Sequence, residues 1–475
     1  MLRRNALAIL IVLVMGGWLV WAFGASSPKA VNNEELFREA DRFIEILRLV
    51  QKQYVDDVDT KQLFRDAIAG MLAGLDPFSN YIPPDELAEF NKATRGKFGG
   101  IGIQVGMRKG MLSVISPLEG TPAYRAGVLA GDIIMEIEGK STDGIRLDEA
   151  VKILTGDAGT TVTITVRHMT GDKETITITR AIIEVPTVKG LRRDENNEWV
   201  YMIDEDKKIG YVRVASFVEN SVPDLRKAIE TMRAGGMKAM IMDLRFDPGG
   251  ILKTAVEMTD LFITDGVIVK TKGRTTPYWE ATASKEGTVP YFPMVVLVNQ
   301  YSASASEIVS GALQDHGRAI IIGERTFGKG SVQNVIPLKG EESALKLTTS
   351  KYYLPSGRCI HRQEDMTEED EWGVVPDIGV PMTPQEYVGL IRARQEGEVI
   401  HNGVEGEDGK TNPDDTDDPK PKPKPKTPVP EALDPEAGGE DPDAEPAEPF
   451  VDKQLQRALD VLRSIEVVEK YLKAA

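Results

Sequence analysis

A chain of 475 residues exceeds what one hydrophobic core organises, so it holds two or three domains and is no small disulfide scaffold. Its 41% apolar and 28% charged residues are an ordinary globular composition, and a net charge of -17 argues against nucleic acid as the main partner. The single cysteine, Cys359, allows no intramolecular disulfide and no cysteine cluster for a metal.

Arg3 and Arg4 precede Ala6–Ala25, twenty residues without charge. At 1.5 Å per residue that run crosses a hydrocarbon layer of ~30 Å. It predicts a membrane anchor over residues 1–28, with the arginines cytoplasmic and the bulk of the chain periplasmic, in the cell envelope. A cleaved signal peptide, with small residues Ala22 and Gly24, is the alternative and would release a secreted form.

Residues 29–97 read as a helical region. Asn33 caps a helix running to Val55, with Glu34 and Glu35 in its first turn and an apolar stripe of Phe37, Phe43, Ile44, Leu47 and Val50. A second helix runs from about Thr60 to Leu72 and stops at Gly74 and Pro77. Such a stripe packs on a second copy of the chain, making a homo-oligomer, or on the chain's own catalytic domain.

From Phe98 the pattern changes to short strands: Phe98–Ile103, Met111–Val114, Ile133–Ile137 and Val162–Val166, with one helix, Leu147–Leu154. Together with Pro122–Gly127 and Gly131-Asp132, residues 98–183 resemble a PDZ domain. That resemblance implies capture of an extended peptide on a sheet edge, its terminal carboxylate held by the loop Gly99, Gly100, Ile101, Gly102 and Ile103. Glycine lets amides converge on an anion with no Cβ in the way.

Residues 184–400 alternate strand and helix, which predicts a mostly parallel sheet flanked by helices. Strands fall at Met237–Leu244, Met294–Val298 and Ala319–Ile322, and helices at Ile251–Phe262 and Ser304–Leu313. Residues 401–450 form an acidic, proline-rich spacer: from 404 to 450 they hold 15 acidic residues, 5 lysines and 11 of the 28 prolines. Too little apolar surface is present there to offset ordering entropy. Residues 451–475 end the chain in an amphipathic helix marked by Leu455, Ala458, Leu459, Leu462 and Ile465.

Chemistry should sit at the carboxyl ends of the strands. Ser304 begins a helix, where free backbone N–H groups can stabilise an oxyanion, although Ser304 with Glu307 also reads as a plain capping box. A nucleophile needs a base. His316 lies twelve residues along the same helix, ~18 Å away, and reads as a helix C-terminal residue. His168 ends the peptide-binding module and His401 borders the spacer, leaving His361 as a weak candidate. Lysine serves instead when burial lowers its pKa, and Lys329 sits in the turn Gly328-Lys329-Gly330, itself ordinarily a solvated turn.

The combination is specific. Ser302–Glu307 followed by Phe327–Gln333 resembles the carboxy-terminal processing peptidases, the tail-specific serine protease family S41. Leu75–Tyr81, Phe98–Ile103, Asp243-Leu244-Arg245 with Pro248-Gly249-Gly250, and Leu347–Gly357 match the same family in the same order. The resemblance implies Ser304 as nucleophile, Lys329 as general base, Gln333 as the residue orienting that lysine, and the Gly250 and Ala305 amides as the oxyanion hole. It also implies an α/β multidomain chain with a crotonase-like catalytic sheet, a serine endopeptidase cutting near the flexible, apolar C-termini of exported proteins, and no metal or cofactor. Two positions depart from the family pattern: Asp247 stands where asparagine is common, and Thr155 where many relatives carry arginine. A catalytically silent PDZ adaptor is the rival from another class, disfavoured by the joint presence of Ser304 and Lys329. An acyl-CoA enzyme of related architecture gives no reason for a PDZ insertion.

Overall fold

The computed structural model describes residues 33–400 and 450–474, apart from 85, 88, 89, 92–95, 109, 341 and 364. The anchor segment, His401 and the acidic spacer lie outside the described residues. Among the described residues no helix is long and apolar enough to cross a membrane.

The chain divides into two units, Met1–Leu75 and Asp76–Ala475. In the first, the helices Asn33–Gln53 and Thr60–Ala73 meet through Phe43 and Phe64, whose ring centroids are 6.1 Å apart. Asp59 caps the second helix by accepting from Lys61 N at 2.8 Å. The predicted apolar stripe forms, yet no residue of the first helix is buried, and Phe37 is 68% exposed.

The second unit contains three sheets that matter for function. The PDZ sheet runs Ile103–Arg108, Met111–Pro117, Ile133–Ile137, Thr161–Arg167, Lys173–Thr179, all antiparallel. Its alternating residues Leu112, Val114, Ile134, Val162, Ile164 and Val166 are fully buried together with Ala150 and Leu154 of the helix Leu147–Leu154. Ile103–Arg108 lies at the sheet edge. The continuous strand expected over Phe98–Ile103 is broken: Lys97–Gly100 pairs with Ala181–Glu184, and a new strand begins at Ile103. Gly102 makes the break, with φ +81, its carbonyl accepting from Leu118 N (2.8 Å) and Thr121 Oγ1 (2.9 Å). A side chain there would meet Thr121 Cβ at 2.3 Å.

The catalytic sheet has the order Val188–Lys189, Ile209–Val214, Ala239–Asp243, Met294–Val298, Ile320–Gly323, Ile378–Gly379. The last five pair in parallel, while Val188–Lys189 and Met202–Asp204 join Ile209–Val214 antiparallel. Its strands read as unbroken apolar runs because both faces are covered. Met240, Met242, Val296 and Val298 pack in one core with the helices Ser221–Ala234, Leu252–Asp260 and Ala305–Asp315. Ile241, Val295 and Leu297 face the other way, onto Ala458 and Leu462 of the C-terminal helix Lys453–Ala474.

The third sheet is antiparallel, a separate layer that the strand-and-helix alternation does not disclose. Ala344–Tyr353 pairs with Asn80–Ile82, Val267–Gly273 and Ser331–Pro337. Strand propensity marks its members, but their pairing spans up to 266 residues of chain, which local pattern does not encode. This sheet carries the Lys329 turn.

Candidate active site

The turn after Val298 is built before any chemistry is asked of it. Asn299 and Ser302 are fully buried; Ser302 Oγ accepts from Asn299 N (3.0 Å) and donates to the Leu244 carbonyl (2.8 Å). Ala303 N donates to the Asp247 carbonyl (3.0 Å), so this turn and the Leu244–Gly250 loop form one hydrogen-bonded piece. Ser304 then takes φ +57, ψ -110, a left-handed conformation costly for a residue with a Cβ, by about 1–3 kcal/mol. The surrounding bonds hold it there, and the buried helix Ala305–Asp315 follows at once.

Glu307 is more than a cap. It is fully buried, and its carboxylate accepts from Ser304 N (2.8 Å), Thr326 Oγ1 (2.6 Å), Gly328 N (2.7 Å) and Lys329 N (2.8 Å). Burial pushes the carboxyl up to about 7 while the four donors pull it down. All four lone-pair positions are taken by donors, which suits the anion. One carboxylate thereby joins the serine turn to the lysine turn, a role its spacing from Ser304 disclosed only in half.

Beside Ser304, the Gly250 and Ala305 N–H groups donate no hydrogen bond among the described residues. Gly249 permits this approach: a Cβ on it would lie 2.7 Å from Ala305 N and 2.9 Å from Ser304 Cβ. Gly250 is held against Phe217 by Phe217 N to Gly249 O (3.0 Å) and Ile251 N to Phe217 O (2.8 Å). The Ala305 amide at a helix start and the Gly250 amide in the adjoining loop, both without an acceptor among the described residues, can receive a developing oxyanion.

Lys329 is partly buried, and loss of hydration lowers its pKa, helped by the nearby Lys346 charge and opposed by Glu307. Its Nζ lies 4.7 Å from the centroid of the Phe78 ring. The Ser304 hydroxyl is paired with the Tyr352 hydroxyl at 3.0 Å, and burial pushes the Tyr352 phenol up to about 12. Among the described residues no hydrogen bond joins Ser304 to Lys329. The structure therefore brings the two turns together but holds each functional group on another partner. Gln333 Nε2 likewise bonds to Ser331 Oγ (2.9 Å) and Thr348 Oγ1 (3.2 Å) rather than to Lys329. Thr348 continues to Asp76, which also holds Ser79 and the Phe78 amide, so the Asp76–Ser79 turn is tied to the strand beside Gln333. Phe78 and Tyr352 lie within the family-like blocks Leu75–Tyr81 and Leu347–Gly357, but nothing in their spacing connects them to Ser304.

The three histidines among the described residues stay apart from this chemistry. His316 caps the C-terminus of the Ala305–Asp315 helix. His168 is raised in pKa by its hydrogen bond to Asp132 (2.8 Å) inside the PDZ module. His361 packs against Gly330, its Nδ1 buried without a partner and its pKa lowered by burial, and makes no hydrogen bond to Ser304 among the described residues.

Asp247 is hydrogen-bonded into the loop it belongs to. Its Oδ1 accepts from Gly249 N (2.8 Å), its Oδ2 is buried without a partner, and burial raises its pKa well above 3.8. The folded state thus holds the proton that the unfolded chain gives up. Stability from this group is complete below about pH 4 and is lost as pH rises toward the folded pKa. Asp247→Asn keeps the accepting oxygen without a charge, so it should raise stability at pH 7 by about 1–3 kcal/mol. Thermal melts at pH 7 and pH 4 check this: the gain should shrink at the lower pH, and a loss at pH 7 would contradict it. Thr155, the other departure, bonds back to its own helix, to the Val151 carbonyl (2.9 Å) and the Lys152 carbonyl (3.3 Å).

Comparison with known proteins places these parts in a family. Residues 208–380 match Peptidase family S41, residues 114–168 a PDZ domain, and residues 24–85 the activating protease CtpB N-terminal domain. A carboxy-terminal-processing protease of Bartonella bacilliformis is 42% identical over 372 residues, covering 77% of this chain and 80% of that one. A carboxyl-terminal-processing protease of Picosynechococcus is 32% identical over 409 residues, covering 82% and 92%. Among solved structures, a photosystem II D1 C-terminal processing protease is 28% identical with a TM-score of 0.40, covering 71% of this chain and 92% of that chain.

Proposed function

The chain belongs to peptidase family S41, the carboxy-terminal-processing serine proteases, and from that membership we propose an endopeptidase in which Ser304 is the nucleophile and Lys329 the general base. Lys329 takes the Ser304 proton as Oγ bonds to the scissile carbonyl carbon, and the Gly250 and Ala305 amides receive the oxyanion. The C–N bond then breaks and the amine leaves with the proton from Lys329. Water attacks the acyl-serine, passing its proton back through the lysine, and Ser304 is regenerated. Gln333 orients the amine in this engaged arrangement, once Lys329 has left Phe78 and Ser304 has left Tyr352.

The observation that carries the reading is Ser304 itself: a strained, buried serine between two unengaged amides, linked by Glu307 to the turn of a lysine depressed in pKa. Strain of this kind persists where it serves a purpose.

The PDZ module supplies substrates. An extended tail adds to the edge strand Ile103–Arg108, its carboxylate at Gly99–Ile103, beside Leu147 and Val151 of the neighbouring helix, which are 38% and 41% exposed. Apolar tails fit that surface. The uncharged run Ala6–Ala25 behind Arg3 and Arg4 tethers the enzyme to the cytoplasmic membrane, so the substrates are exported, periplasmic proteins. The exposed stripe of the Asn33–Gln53 helix packs on a second copy of the chain.

The test is incubation with a folded protein bearing a disordered apolar C-terminal tail. Wild type should shorten it, and Gly102→Val, which forces a side chain into Thr121, should raise KM and weaken tail binding by about tenfold. Tail binding without cleavage by wild type would favour the adaptor instead.

A further inference from the structure

Arg245 is 2% exposed, so its charge must be met by protein rather than by water. Asp243, at the end of the central strand, meets one edge of the guanidinium: Nε to Oδ1 is 3.0 Å and Nη2 to Oδ2 is 2.7 Å. The other edge is met from the far end of the chain. Asp452, just before the C-terminal helix, presents both oxygens, to Nη1 at 2.9 Å and Nη2 at 2.8 Å, and the fully buried Gln454 accepts from Nη1 at 3.0 Å. Gln454 then donates to the Val380 carbonyl at 2.7 Å.

Asp243 is already shared. It also accepts from Arg394 Nη2 and from Tyr211 Oη, each at 2.8 Å. Without Asp452, two buried guanidiniums would face one carboxylate, leaving a positive charge uncompensated. Arg245 also lies in the loop that reaches Gly250. Its carbonyl accepts from Arg394 Nη1 (3.2 Å), and Phe246, at φ +63, donates its amide to Asn299 Oδ1 (3.0 Å). The Phe246 ring stacks on Tyr301 at 5.3 Å, in the turn that leads to Ser304. A shift of Arg245 is therefore passed to the Gly250 loop and to the Ser304 turn.

We propose that Asp452 is a positioning residue for hydrolysis, and that the segment from Phe450 onward is an intramolecular ligand of Arg245 that sets the Gly250 loop. This rests on the Ser304 hydrolase reading. The surroundings offer a specific way to test it. A cavity of about 210 Å³ adjoins the pair, lined by Tyr211, Arg213, Arg245, Arg394, Glu398 and Asp452 among others, with room for a small carboxylate.

Full-length Asp452→Ala, Asp452→Asn and wild type are assayed on the tailed substrate, with sodium acetate or with sodium chloride at equal ionic strength. Asp452→Ala should lose about 10- to 100-fold in kcat with KM unchanged, because a small misplacement of an oxyanion donor is felt in the chemical step and not in tail capture. Acetate, and not chloride, should restore part of that kcat saturably. Asp452→Asn fills the site without the charge, so it should be slow and unresponsive. Arg463→Ala, which removes an ion pair to Asp204 (2.6 Å) farther along the same helix, should keep the wild-type kcat.

A kcat within twofold of wild type in both Asp452 variants overturns the proposal. So does a loss in Asp452→Ala that acetate does not relieve, or an equal loss in Arg463→Ala, either of which marks helix docking alone. Should Asp452→Ala fail to fold, Asp452→Asn decides: slow turnover at an unchanged melting temperature supports the proposal, and wild-type turnover rejects it. Absence of cleavage by wild type, with Ser304 unlabelled by a fluorophosphonate, would instead remove the hydrolase reading.

Discussion

Ser304→Ala and Lys329→Ala should each lower cleavage of a tailed substrate by at least ~10³-fold while tail binding stays intact. In the proposed mechanism the serine variant removes the atom that forms the acyl bond. The lysine variant removes the proposed proton acceptor, and no histidine among the described residues is placed to replace it: His361 makes no hydrogen bond to Ser304, and His316 ends the helix that Ser304 begins. Lys329→Arg separates charge from basicity. Arginine keeps the positive charge but does not deprotonate, so it should be as inactive as alanine. In wild type, burial first and Lys346 second lower the Lys329 pKa. The neutral amine that accepts the proton is then present at a lower pH than for a solvated lysine. Cleavage should rise with pH to a midpoint below 10.5. A profile flat across that range, or cleavage retained in either alanine variant, rejects the dyad.

Glu307→Ala should cost about 3–5 kcal/mol of stability and most of the activity. Four donors would lose their acceptor at a site with no access to water, and the two turns it joins would be free to part. Glu307→Gln is the sharper variant. With its NH2 toward Thr326 and Gly328 it strands at least the Gly328 amide; turned the other way it strands the Ser304 and Lys329 amides. Either orientation costs about 1–3 kcal/mol, and a displaced lysine turn should lower kcat by about 10²-fold with little change in KM. Thermal melts and steady-state kinetics of the two variants are the measurement. A Glu307→Gln protein with wild-type melting and kcat would mean that the carboxylate serves the helix end alone.

Much of the site was legible because its signals are local. The Gly-Lys-Gly turn, the serine at a helix start, the Pro-Gly-Gly loop and the Gly-rich PDZ loop each lie within a few residues, and each has its meaning in backbone conformation. The Leu147–Leu154 helix and the Met294–Val298 strand appear with the bounds their patterns predict. The strand expected through Ile101 and Gly102 failed because a left-handed glycine reverses the chain in mid-pattern, and apolar alternation carries no record of φ.

By itself the amino-acid sequence marked most of the helices and strands and their apolar faces, and its family resemblance singled out Ser304, Lys329, Gly250 and Ala305 as candidates for nucleophile, base and oxyanion donors. The elements and their faces follow from side-chain type and from torsional preferences within a turn or two. Only the tertiary structure decided what those groups touch: Tyr352 against Ser304, Phe78 under Lys329, Glu307 between two turns, and Asp452 on Arg245. Each of these contacts joins distant parts of the chain, and burial gives each its energy by removing water that would otherwise satisfy the same charges and hydroxyls. That condition exists only after the sheets and helices have packed.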